Sequence, residues 1–366
     1  MKTLSIYPQS VDEVYIQKVN DYIRLAKQYG FEEIFTSVHL PELTLSDQFD
    51  SLKIISEACE KYEMSLIVDI GGESINYLLD SKETYNISFI RLDCDFEMNQ
   101  VTRLYEQLDI DGFIINASMY SERKVDELIE DFKKIDEDIE IRACHNFYVR
   151  KETGLSGTFA YRQSSYFNKH NIPVYYFVPS YSNPRCPLYE GLCTIEKHRY
   201  RPLREIITDL YINYDVRYFM FGDMWLSEDE LKEIQNTFNI LSEPLSKTII
   251  EVSFYDSASE EEKQAVLKEH VFRYDSPDTC LRSESSRKMA QAGKTIKKNN
   301  TTTRKAGSIT IDNELYKRYS GEVQVILKDM DKDERVNVVG YIDNSDDLIK
   351  LSRYKEGIVY KFVYKP

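Results

Sequence analysis

Three acidic residues stand at or after the ends of apolar segments. Asp93 follows the run FIRL, Asp223 follows RYFMFG, and Glu190 lies in a polar segment after VYYFV. Hydrolysis of a glycosidic bond requires two carboxylates, because one protonates the departing oxygen while the other attacks the anomeric carbon or activates water. The three residues therefore predict a catalytic site that needs no cofactor. The alternative for Asp93 is a buried ion pair with Arg91, which lies on the same strand face.

Cationic residues that suit a phosphate are concentrated in two later segments. Arg150 precedes a Thr-Gly turn, and His198 and Arg199 come just before a predicted helix. Barrel enzymes often hold phosphates near the loops after their last two strands, and a guanidinium group matches phosphate oxygens in pairs. The segments therefore predict a phosphate site, although solvated surface arginines explain the spacing equally well.

Other polar side chains follow the predicted strands one after another. A helix cap or a loop hydrogen bond explains any one of them equally well. Their recurrence at the carboxyl ends of strands predicts that they meet at one mouth, where a β/α barrel carries its active site. They are Tyr7, Ser37, His39, Glu42, Asp69, Asn116, Ser118, His145, Asn146, Tyr148 and Ser180.

The segments that carry these residues alternate between short apolar strands and amphipathic helices. Eight strands, from TLSIYP to RYFMFGD, are each followed by a helical segment, the last of which begins at Ser227. Near-continuous apolar strands are typical of a parallel sheet covered by helices, and the count of eight favours a closed barrel over an open sheet. We therefore predict an α/β fold with a TIM (β/α)8 barrel over residues 1–248.

After this region the pattern changes to alternating strands separated by turn-rich segments. The runs TIIEVSF, GSITI, EVQVILKD, VNVVGYI and GIVYKFVY predict a smaller β-rich domain over residues 249–366. Residues 287–305 are basic and poor in large apolar side chains, which predicts an exposed loop. A solvated loop is the simpler interpretation. The alternative is a loop that reaches a phosphate in the barrel through Lys297 and Lys298.

Composition limits the partners of the chain. The formal net charge of −15 repels nucleic acids and anionic membranes, so we expect neither and favour a small molecule. No apolar run has the length of a membrane span, and the N-terminus lacks the apolar core of a signal peptide. The six cysteines and five histidines show no metal-ligand spacing. We expect free thiols, no bound metal and a cytoplasmic location.

Several sequence blocks occur in a fixed order along the whole chain. In the barrel region they are GFEEIFTSVHLPE (30–42), IRLDCDF (90–96), INAS (115–118), ACHNFYVRKETGLS (143–156), PLYEGLCTIEKHR (187–199) and FGD (221–223). In the second region they are RYDSPDTCLRSESSR (273–287) and SITIDNELYKRYSGEVQV (308–325). With these blocks the chain resembles the bacterial 6-phospho-N-acetylmuramidase family, in which a barrel is joined to a cyclophilin-like domain.

The resemblance implies hydrolysis of the bond between 6-phospho-N-acetylmuramic acid and N-acetylglucosamine during the recycling of cell-wall sugars. The phosphosugar substrate is a small anionic molecule, and no cofactor is implied. By motif position, the catalytic candidates are Asp93, Glu190 and Asp223. The substrate-binding candidates are Asn116, His145, Asn146, Tyr148, Arg150, His198 and Arg199. The second domain would cover the barrel mouth or form a homodimer.

One departure from the family pattern bears on activity. Family members commonly have glycine at the position of Asp95, and a like charge two residues from Asp93 would raise the pKa of either carboxyl group or fill space meant for sugar. Two other functions therefore stay open. One is a non-catalytic phosphosugar-binding or regulatory protein, which would bind without turnover. The other is a barrel enzyme of another reaction type on a sugar phosphate, which product analysis would identify.

Overall fold

The computed structural model describes residues 1–81, 83–93, 96–243, 248–286, 295–353 and 359–365. The chain divides into two compact units, Met1–Asn236 and Thr237–Pro366. All the residues predicted to form the functional site belong to the first unit. The predicted domain boundary at residue 248 stays a prediction; the first strand of the second sheet is Thr248–Phe254.

Eight parallel strands close the first unit into a barrel and follow one another in chain order around the ring. The last strand pairs with the first, which closes the ring. The strands are β1 (Lys2–Ser5), β2 (Glu33–Ser37), β3 (Ser65–Ile70), β4 (Phe89–Leu92), β5 (Gly112–Asn116), β6 (Glu140–Cys144), β7 (Val174–Val178) and β8 (Tyr218–Met224). The predicted TIM barrel is confirmed.

A helix follows each barrel strand along the chain. The helices are α1 (Glu13–Gln28), α2 (Leu45–Lys61), α3 (Glu73–Asp80), α4 (Met98–Gln107), α5 (Glu122–Ile135), α6 (Gly157–Lys169), α7 (Leu203–Asn213) and α8 (Glu228–Ser242). Their starts follow local chemistry, since the side chains of Asp12, Thr44, Ser121 and Ser156 each accept a hydrogen bond from the first turn of a helix. These caps fix where the preceding loops end.

Aromatic side chains fill the barrel interior close to the carboxyl ends of its strands. Tyr7, Phe35 and Phe177 belong to one buried cluster. The ring centroids of Tyr7 and Phe35 lie 6.3 Å apart and those of Phe35 and Phe177 lie 5.8 Å apart, both edge to face. Such pairs pack rigidly, so the cluster forms a firm apolar floor beneath the mouth.

The amino-terminal end of the interior holds a buried polar cluster instead. The Glu33 carboxylate, on a residue only 2% exposed, accepts hydrogen bonds from Thr3, Arg142 and Tyr175. The Arg142 guanidinium also donates to Glu140. The charges of this cluster therefore meet protein partners inside the barrel, as buried charges require.

The second unit contains a seven-stranded sheet in the order β10-β15-β9-β14-β12-β13-β11. Neighbouring strands are antiparallel except for the parallel pair of β9 and β15. The strands are β9 (Thr248–Phe254), β10 (Glu269–Val271), β11 (Cys280–Arg282), β12 (Ser308–Asp312), β13 (Val323–Ile326), β14 (Val336–Tyr341) and β15 (Val359–Tyr364). The predicted β-rich fold is confirmed, whereas its likeness to cyclophilins stays a prediction.

Within the described residues of this unit, two α-helices and two short strands were not predicted from the sequence. The helices are α9 (Glu260–Val266) and α10 (Ser345–Ser352), and the strands are β10 and β11. The start of α9 is a capping box formed by Ser259 and Glu262, a pattern that the sequence displays as SEEE. That signal was available, whereas strands of three residues are too short to show a period.

The predicted basic loop over 287–305 lies partly outside the described residues, which resume at 295. In the part described, Lys297 and Lys298 form ion pairs with Glu314 and Glu334 of the same unit. Both lysines therefore already have ion-pair partners within the second unit. The hypothesis that they reach a phosphate in the barrel stays a prediction.

Two further features concern the surface and the thiols. No helix in the described ranges is both long enough and apolar enough to cross a membrane. The described cysteines are free thiols: Cys59, Cys144, Cys186, Cys193 and Cys280. Burial raises the pKa of Cys193 to about 12, so this thiol stays protonated and unreactive.

Candidate active site

A hydrogen-bonded network crosses the mouth of the barrel at the carboxyl ends of β2 to β6. The register places Asp69 of β3 opposite Arg91 of β4, and Arg91 Nη1 donates to Asp69 Oδ1 at 2.5 Å. Ser37 Oγ donates to the other carboxylate oxygen at 2.9 Å. Arg91 Nη2 donates to Asn146 Oδ1 at 2.8 Å, and Asn116 Nδ2 donates to the same oxygen at 2.9 Å. The network ties five neighbouring strands together through their side chains.

Arg91 is the centre of this network. Its side chain is only 8% exposed. Burial alone would lower the pKa of Arg91, but the adjacent Asp69 carboxylate more than offsets this, so the pKa lies above its usual range. The Nε atom of Arg91 has no hydrogen-bond partner among the described residues. A buried donor without a partner is costly, so this atom is a place where a ligand or water would be favoured.

Asp93 lies two residues beyond Arg91 and therefore continues the same face of β4. It is partly buried, and no residue in the described part of the chain donates a hydrogen bond to its carboxylate. A Cβ atom added to Gly71 would lie 3.8 Å from Asp93 Cβ and 3.8 Å from His39 Nδ1. Gly71 thus lies between these two side chains, at a position where a Cβ atom would make ordinary van der Waals contact with both. Asp95, the departure noted above, lies outside the described residues.

His145 sits below the network, with no exposed surface. Its Nδ1 lies 3.1 Å from Ser118 Oγ, and its Nε2 lies 3.1 Å from Ser164 Oγ. Ser118 Oγ also accepts a hydrogen bond from the backbone amide of Asn146 at 3.0 Å, so this hydroxyl links the His145 ring to Asn146. Burial lowers the pKa of His145 to about 3, so the ring is neutral. These contacts make His145 a support for Asn146, and both of its ring nitrogens already have protein partners.

Tyr148, Arg150 and Glu190 belong to the loops after β6 and β7, which pair through a bridge between Tyr148 and Cys193. Glu190 accepts a hydrogen bond from the Lys151 amide at 2.8 Å. Arg150 is exposed, and Tyr148 and Glu190 are partly buried. Burial raises the pKa of Tyr148, and a side-chain hydrogen bond with Ser118 offsets part of this increase. All three side chains keep surface that a ligand can contact.

The Asp223 carboxylate is fully buried and serves the loop after β7. It accepts hydrogen bonds from the backbone amides of Ser180, Arg185 and Leu192 at 2.9, 2.8 and 3.0 Å. Burial raises the pKa of Asp223, while the three amides act in the opposite direction. A carboxylate committed to three amides holds a loop in place, which favours a positioning role over the predicted catalytic one.

Arg199 and His198 are likewise engaged by protein groups. The Arg199 guanidinium donates to the Glu196 carboxylate and to the carbonyl oxygens of Gly191 and Tyr148, at 2.8, 3.0 and 2.9 Å. His198 Nε2 lies 2.7 Å from Asp209 Oδ2 on α7. These contacts join the loops after β6 and β7 to each other. They occupy the Arg199 guanidinium and His198 Nε2, whereas His198 Nδ1 has no hydrogen-bond partner among the described residues. The predicted phosphate contact stays a prediction.

One mouth residue was missed by the sequence reasoning. The Arg185 guanidinium carbon lies 3.5 Å from the centroid of the Tyr7 ring. Arg185 lies in a loop without any periodic pattern, so no rule of strand ends pointed to it. Its proximity to Tyr7 depends on how that loop folds back over the barrel.

Comparison with known proteins identifies the family. Two family models match the chain, "6-phospho-N-acetylmuramidase, N-terminal" over residues 3–236 and "6-phospho-N-acetylmuramidase, C-terminal" over residues 248–363. The chain belongs to the 6-phospho-N-acetylmuramidase family. The resemblance inferred from the ordered sequence blocks is confirmed. No functionally curated protein matches the sequence.

Two solved structures share the whole architecture of this 6-phospho-N-acetylmuramidase family chain. A conserved protein of unknown function from Enterococcus faecalis is 28% identical with a TM-score of 0.61, and the match covers 100% of this chain and 96% of the other. An uncharacterized B. cereus protein is 26% identical with a TM-score of 0.64, and the match covers 99% of each chain. Both matches therefore span the two units, and neither protein has a known function.

Proposed function

We propose that this chain hydrolyses the glycosidic bond between 6-phospho-N-acetylmuramic acid and N-acetylglucosamine, in the cytoplasmic recycling of cell-wall sugars. The observation that carries the proposal is the network around Arg91, with the Asp93 carboxylate beside it at the barrel mouth. Family membership supports a glycosidase. The active sites of β/α barrels lie at this end, which supports the location.

Two carboxylates are needed, and Asp93 is the first of the proposed pair. Its carboxylate has no hydrogen-bond donor among the described residues, so it is available to protonate the leaving oxygen or to attack. Asp69 on the adjacent strand, opposite Arg91 in the register and held by Arg91 and Ser37, is the proposed second carboxylate. Glu190 is the competing partner, since it is partly buried and lies in the loop after β7.

Neutral groups at the mouth suit the uncharged parts of the substrate. Asn146 presents an amide that Arg91 and Asn116 hold in one orientation, and Tyr148 presents a phenol. Amides and phenols match the hydroxyl and acetamido groups of amino sugars, which both donate and accept hydrogen bonds. Asn116 and His145, which are fully buried, would act through Asn146.

The test is incubation with 6-phospho-N-acetylmuramyl-N-acetylglucosamine and with its unphosphorylated counterpart, followed by mass spectrometry of the products. We expect cleavage of the phosphorylated disaccharide. Asp93→Asn should lower kcat by about 100- to 10,000-fold while the fold is retained, because general acid–base catalysis has this range. Asp69→Asn and Glu190→Gln, tested in parallel, identify the second carboxylate as the one whose loss has a comparable effect.

Asp109→Asn is the matched control, because Asp109 is exposed in the loop between α4 and β5, at the opposite end of the barrel. It should keep wild-type turnover. Cleavage of neither disaccharide would contradict the proposal. Tight binding of the phosphorylated compound without turnover would assign the chain to the phosphosugar-binding proteins instead.

A further inference from the structure

Arg185 lies over an anchored ring at the barrel mouth. Tyr7 follows β1, is 2% exposed, and packs into the aromatic floor of the interior. Its hydroxyl donates to the Gly222 carbonyl oxygen at 3.0 Å, which fixes the plane of the ring. The Arg185 guanidinium carbon stands 3.5 Å from the ring centroid. The positive charge of Arg185 therefore lies over the floor of the mouth, in a cation–π contact with Tyr7.

The edges of this guanidinium are unused. No group in the described part of the chain accepts a hydrogen bond from the Arg185 side chain, which is only partly buried. Arg199, in the same pair of loops, donates to a carboxylate and to carbonyl oxygens. A guanidinium that stacks through its face and leaves its N–H edges open is suited to bidentate binding of an anion.

The backbone beneath Arg185 is also fixed. Its amide donates to the buried Asp223 carboxylate at 2.8 Å, and its carbonyl oxygen accepts the Tyr189 amide at 3.2 Å. Asp223 holds the amides of Ser180 and Leu192 as well, so the whole loop is pinned to β8. The side chain is thus preorganised from both ends, and binding an anion would cost little additional ordering.

We infer that Arg185 binds the anionic group of the substrate and determines specificity for charged amino sugars. The inference rests on the proposed function for the identity of that substrate. Two anions of the substrate share the required chemistry, the 6-phosphate and the lactyl carboxylate, and each presents paired oxygens to a guanidinium fork. Asp223 acts as a positioning residue, since it holds the Arg185 backbone and does not contact the anion.

The test is isothermal titration of the full chain with three ligands. N-acetylglucosamine 6-phosphate carries only the phosphate, N-acetylmuramic acid carries only the carboxylate, and 6-phospho-N-acetylmuramic acid carries both. Arg185→Met should weaken binding of the ligands that carry the contacted anion by about 10- to 100-fold, since a charged hydrogen-bonded pair is lost. Arg185→Lys should lie between, because it keeps the charge but loses the fork.

Arg217→Met provides the matched control. Arg217 also stacks on a tyrosine, with its guanidinium carbon 3.9 Å from the centroid of Tyr211, but it lies just before β8 at the amino-terminal end of the barrel. It should leave all three affinities unchanged. Circular dichroism and the unfolding midpoint establish that Arg185→Met is folded before its affinities are compared.

The outcomes separate the inference from the proposed function. Loss of N-acetylglucosamine 6-phosphate binding alone assigns the phosphate to Arg185, and loss of N-acetylmuramic acid binding alone assigns the carboxylate. The inference would be overturned if Arg185→Met bound each of the three ligands with the same affinity as the wild type. It would also be overturned if the wild type bound none of them. Binding that depends on Arg185 in a protein that cleaves neither disaccharide would leave the inference standing while the glycosidase proposal fails.

Discussion

The two ends of the barrel interior use the same chemistry for different purposes. Each end holds a buried arginine paired with an acid from a neighbouring or facing strand. At the amino-terminal end, Arg142 donates to Glu33, Glu140 and Tyr175 at 2.7, 2.6 and 2.7 Å, and its guanidinium carbon lies 3.7 Å from the centroid of Phe89. At the carboxyl end, Arg91 donates to Asp69 and Asn146, but its Nε has no partner in the described chain.

The two ends differ in how many of their hydrogen-bonding groups lack a protein partner. Glu33 is 2% exposed and its carboxylate accepts its hydrogen bonds from protein groups, so we call the amino-terminal cluster the closed cluster. The carboxyl end keeps the Arg91 Nε, the Asp93 carboxylate and the Arg185 edges without partners among the described residues. Buried arginine–acid pairs alone therefore do not indicate a site. Unused hydrogen-bonding groups around such a pair do, and in β/α barrels they are expected at this end.

The largest effect should come from breaking the closed cluster. Arg142→Met leaves the Glu33 carboxylate buried without its cation, and such a loss costs about 3–5 kcal/mol of the free energy of unfolding. Trp225 is the single tryptophan and belongs to the barrel unit, so its fluorescence during urea unfolding reports on this unit. Activity per folded molecule should stay close to wild type.

Arg123→Met is the control for this change. Arg123 is 90% exposed and pairs with Glu127 along α5, so its removal should cost at most about 1 kcal/mol. A large loss of activity in Arg142→Met, without loss of stability, would show that the two ends do not divide structure and function as described.

Arg91→Met should have a smaller effect on stability than Arg142→Met and a larger effect on activity. Asp69 is 16% exposed and keeps its hydrogen bond from Ser37, so we expect a smaller stability loss of about 1–3 kcal/mol. Asn146 would lose one of its two orienting donors, and misplacement of a substrate-contacting group costs about 100-fold in kcat/KM. Both variants are measured by the same unfolding and turnover assays. Wild-type kcat/KM in Arg91→Met would contradict the assignment of function to the carboxyl end.

The sequence predicted the barrel well because its elements are strongly periodic. The run SLIVDI, for example, is the strand Ser65–Ile70. The strand period also placed Asp69 and Asp93 at neighbouring carboxyl ends. This much follows from local pattern alone, since short apolar runs and the turn residues that bound them determine where a buried strand stops.

The roles of Asp223, Arg199 and Arg185 could not be predicted in this way. Asp223 ends a strand as predicted, but its carboxylate is taken by three loop amides whose positions depend on the fold of the loop. For the same reason, Arg199 was expected to face a phosphate and instead faces carbonyl oxygens. Irregular loops carry no period, so their hydrogen bonds are visible only in three dimensions.

The smallest predicted effect is a pH dependence that originates at the carboxyl end. Burial lowers the pKa of His145 from 6.5 to about 3 in the folded chain, so between these values the unfolded chain binds a proton that the folded chain does not. Stability is therefore complete above about pH 6.5 and falls as the pH decreases, by about 2 kcal/mol at pH 5. His145→Gln should remove this contribution, measured as the change in Trp225-monitored unfolding between pH 7 and pH 5.

His170→Gln is the comparison variant for loss of an exposed imidazole, because His170 is exposed at the end of α6 with its Nε2 3.4 Å from Asp126 Oδ1. Burial also lowers the pKa of His270, which adds a contribution of the same sign in the second unit, so the informative quantity is the difference between wild type and His145→Gln. Equal slopes for these two proteins would mean that protonation of His145 does not control the stability of the barrel. The support it gives to Asn146 through Ser118 would then persist in acid.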